Sequence, residues 1–101
     1  MPRMMDDKIN TLHPEGKQGV CIDRAKYEQI RDAILEALAA REPMTFRELA
    51  ATVERRLRGQ FQGSIGWYYT TVKLDLEARD VIERIPGSRP QQLRRAQPTS
   101  A

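Results

Sequence analysis

Cysteine and histidine are almost missing from these 101 residues, each occurring once, as Cys21 and His13. A single cysteine excludes an internal disulfide and a thiolate zinc cluster, which leaves the cytoplasm as the expected address. With no histidine or helix N-terminus implied beside it, Cys21 reads as a small buried apolar group rather than a nucleophile. His13 lies in the proline-containing stretch "LHPEG", and no motif places a nucleophile or carboxylate next to it. It reads as a solvated or loop-packing histidine. Long apolar runs are missing too, so no membrane span is expected, and "MPRMMDDKIN" lacks the apolar stretch of a secretory signal.

Catalytic patterns fail one by one. "EGKQG" lacks the upstream glycine of a phosphate-binding loop, and no helix carrying Ser or Thr follows Lys17. "GSIG" does not have the spacing of the serine-nucleophile motif. Asp75 and Glu77, two apart on a helix, point away from each other and make no natural acid/base pair. Asp6 and Asp7 sit where nothing fixes their geometry. No enzyme, metal, cofactor or small-molecule substrate is therefore expected.

Charge is present but unevenly placed. The net charge is +3, from 17 basic and 14 acidic residues. Residues 84–101 hold Arg84, Arg89, Arg94 and Arg95 and no acid, leaving 13 bases against 14 acids elsewhere. The positive field belongs to the C-terminal segment.

The chain is long enough for one small domain with one modest core. Residues 1–18, with Pro2, Pro14, Gly16 and no periodicity, read as an N-terminal arm, disordered or held only by contact with the body. A domain over 19–96 and a disordered tail over 97–101 follow. "GVCI" reads as a short strand over 19–22. Asp23 offers an N-cap, and Tyr27, Ile30, Ile34 and Leu38 recur at helical spacing up to Ala40, before Pro43. Thr45 and Glu48 spell a capping box, with Met44 and Leu49 placed as an apolar staple. Phe46, Leu49, Ala50, Val53 and Leu57 then form one face of a second helix that Gly59 ends. Ser64 caps a third helix, whose core stripe is Ile65, Tyr69, Val72 and Leu76. "VIERI", a type II turn at Pro86-Gly87, and "QQLRRA" make a hairpin with Leu93 inward. Three helices followed by a two-stranded wing predict a winged helix-turn-helix, mainly α with a small β hairpin.

That fold directs attention to the wing and to the third helix. Arg84, Arg89, Arg94 and Arg95 on the wing suit a phosphate backbone, and Arg55, Arg56 and Arg58 at the end of the second helix could add contacts. On the third helix, Thr71 could touch a base edge and Lys73 a phosphate. The face opposite the core stripe is Trp67, Thr70, Thr71, Leu74 and Ala78, which offers no Arg, Asn or Gln for bidentate base readout. Trp67 and Leu74 are costly to leave in water, so a protein surface is expected over both. Residues 9–22 are the first candidate cover, and a second copy of the helix the next. Two functions follow: duplex DNA association through a basic wing with weak sequence readout, as a regulator or accessory protein, or a protein-interaction or dimerisation module using Trp67, Thr70, Leu74 and Ala78.

The stretch "GWYYTTVKLDLEARDVIERIPGS", preceded by "HPEGKQGVCIDRAKYEQIRDAILEAL", resembles a family of short bacterial proteins of unknown function. The likeness runs from about His13 to Arg95 and rests mostly on Gly66-Trp67 and on "TVKLDLEA", Thr71 to Ala78. It implies a winged-helix character and no known activity. More loosely, "LEARDVIERIPGSRPQQL" is similar to the wing of many bacterial winged-helix transcriptional regulators. Those proteins usually carry polar or basic residues where this chain has Trp67 and Leu74.

Overall fold

The apolar period accounts for the three helices, and side-chain caps open the second and third of them. A computed structural model describes residues 7–96. In order, the elements are β1 (Lys8–Asn10), β2 (Cys21–Asp23), α1 (Arg24–Ala40), β3 (Met44–Thr45), α2 (Phe46–Leu57), α3 (Ile65–Ala78), β4 (Ile82–Arg84) and β5 (Gln92–Arg95). Asp6 and the tail "QPTSA" lie outside the described residues. At the head of α2, the Glu48 amide donates to Thr45 Oγ1 at 3.1 Å and the Thr45 amide donates to Glu48 Oε1 at 3.0 Å. This is the reciprocal cap that the Thr-x-x-Glu spacing predicts. The Trp67 amide donates to Ser64 Oγ at 3.1 Å, which opens α3 as expected. Asp23 precedes α1 but makes no side-chain cap; its carboxylate instead accepts from Lys8 Nζ at 3.1 Å across the β1–β2 pair.

The helices enclose one core. Tyr27, Ile30, Ile34 and Leu38 from α1 meet Leu49, Val53 and Leu57 from α2 and Tyr69, Val72 and Leu76 from α3. Ile22, Met44, Ile82 and Leu93 close it from the strands. Each fully buried aliphatic side chain contributes on the order of 1.5–3 kcal/mol through lost apolar surface. Two expected core members sit at its margin. Ile65 is half-buried. Phe46, the first residue of α2, remains 39% exposed and leans its ring on Tyr69, centroid to centroid 5.0 Å.

Two small antiparallel sheets complete the architecture. β1 pairs with β2, Ile9 opposite Ile22, so residues 8–10 of the expected arm form a strand. Successive strand residues face opposite ways. Ile22 therefore enters the core, while Cys21 is exposed, contrary to the buried position expected of it. The second sheet has three strands, not two, in the order β3–β5–β4. Met44 lies opposite Leu93, and Arg84 opposite Leu93 on the other side, so the last strand in sequence is central in space. In the β4–β5 turn, Gly87 has φ +77° and the Ser88 amide donates to the Ile85 carbonyl at 3.4 Å, the pattern expected of Pro86-Gly87. Among the described residues, no helix is long and apolar enough to cross a membrane.

Candidate functional site

The outer face of α3 is bordered by the connection between β1 and β2. That connection is closed at its neck by Thr11 and Val20. The Thr11 amide donates to the Val20 carbonyl at 2.8 Å, and the Val20 amide donates to Thr11 Oγ1 at 2.9 Å. Gly19 is required there, because a Cβ at that position would sit 1.8 Å from the Thr11 carbonyl oxygen. Within the loop, the Glu15 amide donates to His13 Nδ1 at 3.1 Å, so His13 organises its own turn. Leu12, His13, Val20, Thr71 and Leu74 line a depression of about 130 Å³ between loop and helix. Its apolar rim stays open: Leu12 is 45% exposed and Val20 40%.

Asp75 holds this loop to the helix, and sequence reasoning missed it. Its carboxylate has no exposed surface. Oδ1 accepts from the Leu12 amide at 2.8 Å, Oδ2 accepts a short hydrogen bond from the Tyr27 hydroxyl, and Arg79 Nε lies 2.9 Å from both oxygens. Arg79 also reaches the Asn10 carbonyl at 3.3 Å through Nη2. Burial first, and then the bond to Asp75, push the Tyr27 hydroxyl up to about 12. Only the i, i+4 spacing of Asp75 and Arg79 is visible in the sequence. Leu12 and Tyr27 are 63 and 48 residues away along the chain.

Most of the expected DNA-binding cations are engaged within the protein. Lys73 is buried on the core side of α3, its Nζ 2.6 Å from Glu77 Oε2 and 5.2 Å from the centre of the Phe46 ring. The Glu77 contact is ionic rather than a directed hydrogen bond. Residue 73 follows Val72 and lies one turn after Tyr69, so it falls on the core stripe and not on the outer face where the phosphate contact was expected. Arg84 Nε donates to Glu77 Oε1 at 2.9 Å, Arg94 pairs with Glu83, and Arg95 reaches Glu42 at 2.9 Å. Arg95 holds the Glu42 carboxyl below its ordinary range. Arg56 pairs with Glu36, and Arg58 lies 3.6 Å from Glu54. Arg55 hydrogen-bonds Thr52, while Arg47 and Arg89 have no carboxylate partner among the described residues.

The expected interface residues share one face. Trp67, Thr70, Thr71, Leu74 and Ala78 lie opposite the buried Tyr69, Val72 and Leu76. Leu74 and Ala78 are half-buried, but Trp67 is 47% exposed, so residues 9–22 do not supply the cover expected for the indole. Ile22 is spent in the core and Ile9 packs against it; of the four aliphatic side chains in 9–22, Leu12 and Val20 reach the depression beside Leu74. The indole stands edge-on to Tyr68 at 4.9 Å, Tyr68 edge-on to Phe61 at 5.1 Å, and Lys26 Nζ lies 5.3 Å from the Tyr68 ring centre. This aromatic row continues the apolar surface past the helix N-terminus.

A family model matches residues 8–93, and the chain belongs to that family, a family of unknown function (DUF6958). No curated protein and no solved structure matches the chain.

Proposed function

We propose that this member of a family of unknown function is a winged-helix interaction module that docks protein through the outer face of α3. The order helix, short strand, helix, helix, strand, strand, with β5 between β3 and β4, supports the winged-helix reading; the β4–β5 loop is then the wing. The carrying observation is the 47% exposure of Trp67 on a face that continues to Leu74, Leu12 and Val20. An exposed indole on the same helix face as a partly apolar hollow supports a contact site there. A cytoplasmic setting belongs to the same reading.

A second reading, duplex DNA association, is favoured by Arg47, Arg55 and Arg89, which have no carboxylate partner among the described residues. Such binding would use the wing tip and α2, be largely blind to sequence, and fall steeply with salt. Fluorescence anisotropy with random duplex DNA, in a series from about 50 to 200 mM salt, separates the two. The docking reading expects weak binding at most, reduced by Arg89→Ala and leaving Trp67 emission unchanged. Tight, sequence-selective binding that quenches Trp67 would instead assign α3 to DNA and overturn the docking reading.

A further inference from the structure

We propose that the depression between the β1–β2 loop and α3 is a binding site for a small neutral molecule. Its ligand has a phenyl- or isobutyl-sized apolar body and one acceptor oxygen. The site goes beyond the docking reading, since Trp67 does not line it and stays free for a protein partner.

Size sets the body of the ligand. The depression holds about 130 Å³. A cavity of about 150 Å³ lined by aliphatic and aromatic side chains binds benzene, so one ring or one branched chain of that bulk fits. Leu12, Val20 and Leu74 supply the apolar walls. Of the four large hydrophobic side chains exposed among the described residues, Leu12 and Val20 both stand here.

The hollow is held open rather than left by loose packing. The Leu12 amide is fixed on Asp75, the Thr11 amide on the Val20 carbonyl, and the Glu15 amide on His13 Nδ1. Gly19, forced by the close approach of the Thr11 carbonyl, adds no side chain to fill the space. A preformed site spares the ligand the cost of ordering the loop.

The polar lining sets the head of the ligand. Because His13 Nδ1 accepts from the Glu15 amide, the proton of the neutral ring lies on Nε2. That N–H, the Thr71 hydroxyl and the Gln18 amide meet no hydrogen-bond partner among the described residues. All three can donate, and the imidazole N–H can do nothing else, so an acceptor on the ligand answers them. No carboxylate, ammonium or guanidinium lines the hollow. An ion would find no counter-charge there, so the acceptor is a neutral hydroxyl or carbonyl oxygen.

Benzyl alcohol and toluene, one ring with and without an oxygen, are the probes. Each is titrated into the full chain to about 5 mM while methyl NMR signals are read, because so few heavy atoms support a dissociation constant on the order of 1 mM. Benzyl alcohol should shift Leu12, Val20, Thr71 and Leu74 saturably and leave the buried methyls of Ile34 and Leu49 in place. Toluene should bind at least about three-fold more weakly, for want of the hydrogen bond. Val20→Phe, at a position 40% exposed on the rim, fills the hollow and should abolish the shifts without changing thermal unfolding. His13→Asn keeps a side-chain acceptor for the Glu15 amide but lacks the Nε2 proton. It should lower benzyl alcohol to the affinity of toluene. Shifts spread through the core methyls, or none at Leu74, would overturn the site. Equal binding of the two probes by the wild type would overturn the assigned ligand class. Neither result touches the docking reading, which falls only if selective DNA binding quenches Trp67.

Discussion

A carboxylate with no exposed surface is tolerated at position 75 because donors surround it. The Leu12 amide, the Tyr27 hydroxyl and the Arg79 guanidinium replace the water it loses. Substituting Asp75 by Ala strands two of those donors in the interior and detaches the loop from α3. Breaking a buried pair by removing one partner costs about 3–5 kcal/mol, and Asp75→Ala should lose an amount in that range in urea unfolding. A loss below about 1 kcal/mol, the worth of one ordinary hydrogen bond, would refute its role as an anchor. Of these donors only Arg79, four residues on, stands near Asp75 in the sequence; the other two come from α1 and from the far end of the chain.

At the level of elements, legibility followed the range of the cause. The caps at Thr45 and Ser64 and the core stripes of α1, α2 and α3 depend on neighbours within one or two turns, and the spacing reveals them. β1 and β3 have three and two residues, too few for alternation to show, and exist because β2 and β5 pair with them. Arg84, Arg94 and Arg95 were legible as charges but not as ion pairs, since Glu77, Glu83 and Glu42 meet them only after folding; for Lys73 the i, i+4 spacing to Glu77 was visible, but not the burial of the pair. The Glu42–Arg95 pair fixes the end of β5 to the segment before β3 and has a pH signature. Because Glu42 titrates below its ordinary value of 4.5, its contribution is full above that pH and is lost as pH falls through the lower, folded value. Glu42→Gln should therefore be less stable than wild type at pH 7, with a smaller difference at an acid pH below the lowered, folded value of Glu42. A difference unchanged between urea titrations at those two pH values would show that the pair contributes nothing.

On the scale of the whole molecule, the family match over residues 8–93 includes β1 and the loop after it as well as the three helices. The loop, α1 and α3 are joined through one carboxylate, so the N-terminal segment is not an appendage that opens on its own. A terminal strand of three residues would ordinarily fray, exchanging its amide protons through small local openings. Here the Leu12 amide is held by a buried carboxylate that Tyr27 of α1 and Arg79 at the end of α3 fix in place, so opening the loop leaves that carboxylate short of a donor. Leu12 should thus show protection near that of core amides such as Leu76, and should share their response to denaturant. Protection at Leu12 that is weak and independent of denaturant would mean that the loop moves separately from the helices. Otherwise the outer face of α3 and the core melt as one cooperative unit, and any molecule bound at that face would stabilise the entire fold.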